Sequence, residues 1–198
     1  MNRKQLEIKL SRLKNLDNLN VNLEQYQLDG YFASEILWTA YQNGDIKGKI
    51  VADLGCGNGI LGIGALILGA KFVYFLELDK DALKICRENL KAFDNFKVIN
   101  SDVSEFDFDA DTVIMNPPFG VQKRKADKIF LETAMRCADK IYSLHKIESK
   151  GFIDKLCSEN GFAVLNIIAR ELVIKKTYKF HAKMRHFVDV GMWVLKRA

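Results

Sequence analysis

Residues 51–64, VADLGCGNGILGIG, constrain the fold of this chain more than any other stretch. Val51 to Leu54 read as the end of a buried strand, and Gly55, Gly57 and Gly59 follow at every second position. An apolar helix comes next and closes at Gly69. Glycine tolerates positive φ and lets a ligand approach the backbone, so the stretch predicts a strand that turns through a binding loop into a helix. The same alternation continues downstream. Strands are predicted at KFVYFLELD, FKVINSD, ADTVIMN and KIYSLHK, and helices at KDALKICRENLKAF, ADKIFLETAMRCA and ESKGFIDKLCSEN. FAVLNIIAREL and HFVDVGMWVLKR, with a basic segment between them, predict two long late strands in a hairpin. The predicted class is α/β: a doubly wound, mainly parallel sheet of seven strands, helices on both faces, and an antiparallel C-terminal strand. Ahead of this core, Leu6, Leu10 and Leu13 recur at helical spacing over residues 3–15, and Tyr31 to Tyr41 read as a second helix.

A length of 198 residues with 48% hydrophobic and 28% charged residues fits one globular domain over 1–198. No apolar run approaches a membrane span, and the opening MNRKQLEIKLSRLKNL mixes charge with leucine, unlike a secretory signal. No membrane partner is expected. Cys56, Cys86, Cys137 and Cys157 are far apart and form no CxxC pair. That argues against a zinc knuckle or disulfide scaffold, predicts no metal, and fits a reduced, cytoplasmic setting. The formal net charge of +5 permits a polyanionic partner without demanding one.

In a doubly wound sheet a ligand binds at the carboxyl ends of the strands, near the switch point. The loop spacing is G-x-G-x-G, with Asp53 two residues before the first glycine. A carboxylate there suits a cationic or amine-bearing ligand and repels phosphate; the plainer alternative is that Asp53 caps the helix. The second strand ends at Glu77, where an acidic side chain can accept from both ribose hydroxyls. The third ends at Ser101-Asp102-Val103, where a carboxylate can take an adenine amino group. Acids at three successive strand ends describe a nucleoside with a positive charge and no phosphate. S-adenosylmethionine has those properties, with S-adenosylhomocysteine as its product.

The fourth strand ends in DTVIMNPPFG, which holds both prolines of the chain. Two prolines stop a strand or helix, remove two N–H donors and fix φ. Asn116 Oδ1 and the carbonyl oxygen of Pro117 can each accept one N–H of an amino group. That aims the nitrogen lone pair at a methyl donor and stabilises the charge developing on nitrogen. Pro118 holds the turn, and Phe119 offers a stacking face. The logic demands an amine or amide on a flat group: adenine, cytosine, guanine or glutamine.

DLGCGNG, ELD, SDV and NPPF in this order resemble the class I methyltransferases that act on amino nitrogens. LEQY at 23–26, YSLHK at 142–146 and YKFH at 178–181 narrow the resemblance to archaeal and eukaryotic ribosomal-RNA adenine methyltransferases. The resemblance implies a Rossmann-like methyltransferase fold and formation of N6-methyladenosine in small-subunit rRNA. It implies that residues 1–45 cover the cofactor, with Gln25 and Leu28 closing over it. Gly55, Asn58 and Ile60 would line the methionine end, Glu77 the ribose, Asp102 and Val103 the adenine, and Asn116 to Phe119 the target base. The family often has proline where this chain has Gln27, and aspartate where it has Glu77. Eukaryotic relatives use a small zinc-binding activator that pairs along a sheet edge.

Two basic runs bear on the substrate. Lys123, Arg124, Lys125 and Lys128 follow the Pro-Pro turn, and Lys175, Lys176, Lys179, Lys183 and Arg185 lie between the last strands, interleaved with Tyr178, Phe180 and His181. Such runs can bind phosphates and stack bases, although each alone is more often a solvated face. Lys123, Arg124, Lys125, Lys179 and His181 are the candidate RNA contacts. The competing expectations are a protein-glutamine methyltransferase, a DNA adenine methyltransferase, and a non-catalytic RNA-binding module.

Overall fold

The computed structural model describes residues 1–16, 28–118, 126–175 and 185–198. Helix α1 (Arg3–Leu10) starts from an Asn2 capping box, in which Asn2 Oδ1 accepts from the Gln5 amide and Gln5 Oε1 from the Asn2 amide. It ends well short of residue 15, because the backbone of Lys14 is captured by Asn58 and Asn89. Helix α2 (Gly30–Gln42) is capped by Asp29 and packs closely on α1. Only glycine fits at position 30, where a Cβ would stand 2.9 Å from the Glu7 carbonyl oxygen.

The α/β core follows in order: β1 (Ile50–Leu54), α3 (Ile60–Ile67), β2 (Phe72–Glu77), α4 (Lys80–Asn89), β3 (Phe96–Asn100), β4 (Thr112–Met115), α5 (Ala126–Cys137), β5 (Lys140–Lys146), α6 (Lys150–Glu159), β6 (Phe162–Lys175) and β7 (Arg185–Arg197). The seven strands form one sheet in the order β3-β2-β1-β4-β5-β7-β6. β1 to β5 are parallel; β7 runs antiparallel to both β5 and β6. The predicted architecture and its antiparallel C-terminal strand are therefore observed.

Side chains alternate between two cores. Ile114, Tyr142, Leu144, Met192 and Val194 face the layer of α1, α2, α3 and α4. Val113, Met115, Ile141, Trp193 and Leu195 face α5 and α6. Asp45 closes the amino edge of the sheet: its Oδ2 accepts from Tyr142 Oη at 2.6 Å and its carbonyl from Thr112 Oγ1 at 2.7 Å. On the outer strand a register shift between Val164 and Asn166 interrupts the ladder and turns Leu165 outward, which blunts that edge. Among the described residues, no helix is long and apolar enough to cross a membrane.

Candidate active site

The strand order reverses between β1 and β4, and their carboxyl ends are level: Leu54 is paired with Met115 on one side and Leu76 on the other. A crevice at such a reversal is where open α/β sheets bind ligands. Two loops meet here. After β1, Gly55, Gly57 and Gly59 have φ of 71°, 56° and 86°. L-residues with a Cβ avoid this left-handed region, so the alternating glycines are a backbone requirement. The Gly55 and Cys56 amides donate to the Leu76 carbonyl at 2.8 and 2.9 Å, and the Gly59 amide to Cys56 O at 2.8 Å.

Asp53 lies beneath this loop, 1% exposed, and its Oδ2 accepts from the Gly62 amide at 2.7 Å. The capping alternative is thus realised: Asp53 ties the loop to the first turn of α3. Burial pushes its carboxyl up to about 7, against the lowering effect of the Gly62 N–H and with help from the Glu77 charge. Glu77, also buried, closes β2. Its Oε2 accepts from the Gly57 amide at 2.9 Å, and its Oε1 from the Leu78 and Asp79 amides at 2.8 and 2.9 Å. Burial is the main cause that raises its pKa, with the three N–H groups opposing. Two buried acids under one loop make a floor that suits a cationic ligand and repels phosphate. Asp102 caps the short turn Val103–Glu105, accepting from the Ser104 amide at 3.0 Å, and Val103 is buried.

Asn58 is 3% exposed. Its Nδ2 donates to the Lys14 carbonyl at 3.1 Å and its Oδ1 accepts from the Ile60 amide at 3.3 Å. Asn89, at the end of α4, completes the clasp. Its Nδ2 donates to the carbonyls of Lys14 and Asn58, both at 3.0 Å, and its Oδ1 accepts from the Lys14 amide at 2.9 Å. These two side chains hold the chain after α1 against the glycine loop. Sequence reasoning missed Asn89, whose only signal was its place at the end of an amphipathic helix. It also missed Phe130 on α5: a Cβ at Gly55 would stand 3.0 Å from its ring, so α5 abuts the loop. Ile60 begins α3, and Leu28 is buried in the core ahead of α2. Gln25 falls outside the described residues.

At the end of β4, Asn116 Oδ1 is buried and has no hydrogen-bond partner among the described residues. An unmade buried acceptor costs about 1–3 kcal/mol, so such an atom asks for a donor. Pro117 and Pro118 follow it in trans. Phe119, Lys123, Arg124, Lys125, Lys179 and His181 lie outside the described residues. Lys128, on α5, pairs with Glu132 at 3.2 Å. On β5, His145 Nε2 and Ser143 Oγ are 2.6 Å apart in the interior, and burial pushes the imidazole down to about 3, so it is neutral. The four cysteines are free and buried. Among the described residues, no group of three His, Cys, Asp or Glu side chains could hold a metal ion.

Residues 25–142 match the methyltransferase small domain. The chain is 37% identical over 192 residues to METTL5 of Danio rerio, named an rRNA N(6)-adenosine-methyltransferase, covering 92% of this chain and 93% of that protein. It is 34% identical over 200 residues to Mettl5 of Drosophila melanogaster, which carries the same description, covering 96% and 94% of the two chains. The crystal structure of PH1948 from Pyrococcus horikoshii superposes with a TM-score of 0.94 at 45% identity, over 100% of this chain and 98% of that one. With that match over more than half its length, and a glycine loop and Asn-Pro-Pro turn meeting at the switch point of a Rossmann-like sheet, the chain belongs to the methyltransferase small domain family.

Proposed function

We propose that this protein transfers a methyl group from S-adenosylmethionine to the exocyclic 6-amino group of an adenosine in RNA, with small-subunit rRNA as substrate. The observation that carries the reading is the unpartnered, buried Oδ1 of Asn116, level with the glycine loop across the switch point. S-adenosylmethionine supplies an electrophilic methyl on a sulfonium, and the acid floor of Asp53 and Glu77 suits that charge. Glu77 takes the ribose and Asp102 with Val103 the adenine of the cofactor. Asn116 Oδ1 accepts one amino N–H of the target base and Pro117 O the other, which turns the nitrogen lone pair toward the methyl. The same oxygens stabilise positive charge as it grows on nitrogen. Phe119 stacks on the base. The proton leaves nitrogen after transfer, so no strong base is needed, and the buried neutral His145 stays outside the chemistry. Paired adenosines would have to be extruded to reach Asn116, which favours unpaired targets.

Adenine and rRNA enter from the names of the relatives that match nearly the whole chain. The enzyme acts in the cytoplasm, and a small zinc-binding activator would pair along one of the sheet edges, β3 or β6. The test is nucleoside mass spectrometry of small-subunit RNA after incubation with the protein and isotopically labelled cofactor. N6-methyladenosine carrying the label is expected. Label found only in protein glutamine or in DNA would overturn the proposal.

A further inference from the structure

Helix α1 carries a charge pattern that its own stability does not ask for. Leu6 and Leu10 are buried, while Lys4, Lys9 and Arg12 are exposed. A helix is positive at its amino end and negative at its carboxyl end, so Lys9 suits the last turn. Arg3 and Lys4 do not suit the first turn, which holds no acid. Lys4 pairs with Glu7 at 2.7 Å. Arg3, Lys9 and Arg12 form no ion pair among the described residues.

Contacts at its two ends lay α1 across the sheet, over α2 and α3. At its start the Arg3 guanidinium stands 5.2 Å over the ring of Tyr31, which is 50% exposed. One turn further along α2, Glu35 is held by Arg170 of β6, with Nε donating to Oε2 at 3.0 Å and Nη2 to Oε1. Arg170 pairs with Val190, and Val190 with Lys146, the last residue of β5, so this end of α1 lies at the carboxyl rim. Beyond its other end, Lys14 is fixed to Asn58 of the glycine loop, at the carboxyl end of β1. From β1 to β6 there are four strand spacings, about 19 Å at ~4.8 Å each. The path from Arg3 to Lys14, mostly helical at ~1.5 Å per residue, covers about 17 Å. α1 therefore runs along the rim, and β4, which leads into Asn116, ends between its two anchors.

We propose that α1, together with Arg170, is a phosphate-binding ridge that guides the RNA strand to Asn116, a step that rests on the RNA reading above. Along it Arg3, Lys4, Lys9, Arg12 and Arg170 meet two carboxylates, Glu7 and Glu35, whose side chains are only 17% and 15% exposed. The surface turned to solvent is therefore basic. It suits the sugar-phosphate backbone, which positions a strand without reading its bases. At about 3.4 Å per stacked nucleotide the ridge spans roughly five phosphates. An acidic protein would also feel this charge. RNA is favoured because the ridge follows the rim of the sheet where the target base is held.

The test uses the full chain and a labelled single-stranded RNA with one adenosine, followed by fluorescence anisotropy across a salt series. K9E/R12E should weaken binding about tenfold at low salt, and the slope of log affinity against log salt should shrink by about one to two. K9Q/R12Q should show the same effect more weakly. K47E/K71E makes the same change in net charge at the amino end of the sheet, where Lys47 and Lys71 are exposed, and should keep the wild-type slope. Calorimetry with S-adenosylhomocysteine should give all three variants wild-type affinity. If the wild type methylates RNA and K9E/R12E behaves like K47E/K71E, the ridge falls and the RNA reading stands. If the wild type binds no RNA even at low salt, the two fall together. Displacement of the RNA by polyglutamate as readily as by unlabelled RNA would also overturn the ridge, by making it a surface for acidic protein.

Discussion

Asn116 keeps an acceptor in reserve, and its removal separates chemistry from binding. Asn116→Ala should leave the S-adenosylmethionine dissociation constant within about twofold while single-turnover methylation falls about 10²–10³-fold, the usual loss for a preorganised polar contact. Retained turnover would remove Asn116 from the mechanism. Asp53 supports a second prediction. Its carboxyl titrates at about 7 because it is buried, so the floor gains negative charge as pH rises through neutrality. S-adenosylmethionine should bind more tightly at pH 8 than at pH 6, and uncharged-sulfur S-adenosylhomocysteine should show a smaller change in the same calorimetric series. Asp53 also shows what a sequence withholds at this scale. Its place two residues before Gly55 was legible; that its oxygen reaches Gly62, nine positions on, depends on where α3 begins.

Strand and helix alternation was legible because residue periodicity changes sharply at glycines such as Gly55 and Gly69. The end of α1 was not: Leu13 continues the helical spacing, but Lys14 is claimed by Asn58 and Asn89, 44 and 75 positions away. The hairpin was legible as two strands, while its overhang past β5 required the register. The Asn58–Asn89 clasp gives a prediction for the element it holds. Asn89→Ala deletes three hydrogen bonds and should destabilise the fold by about 1–3 kcal/mol in urea titrations. The Lys14 amide should exchange with solvent at least tenfold faster, and cofactor affinity should fall several-fold as the chain after α1 loosens from the glycine loop. Unchanged exchange at Lys14 would show that the clasp does not hold it.

For the molecule as a whole, two buried groups set opposing acid responses. The His145 imidazole, held near 3 in the fold against 6.5 when exposed, contributes stability above pH 6.5 that is lost as pH falls toward 3. The Asp53 carboxyl, raised from 3.8 to about 7, contributes stability below pH 3.8 that is lost as pH rises to 7. Each slope is at most about 1.4 kcal/mol per pH unit, so the two offset between pH 4 and 6.5. Urea midpoints of His145→Phe should therefore rise on acidification relative to wild type, and those of Asp53→Asn should fall. Parallel curves for all three proteins would contradict both assignments.

The five unmatched basic residues in the sequence between Glu171 and Asp189 also govern how copies of the protein behave toward one another. A variant in which Glu171 is joined to Asp189 by a two-residue turn keeps 25 groups of each sign and a formal charge near zero. Near pH 7 it should lose colloidal stability, since uncharged surfaces no longer keep molecules apart. Light scattering at low salt should report self-association that the intact chain resists. The segment that holds the candidate RNA contacts Lys179 and His181 thus also supplies the net charge of the chain, and solubility alone would be a reason to keep it.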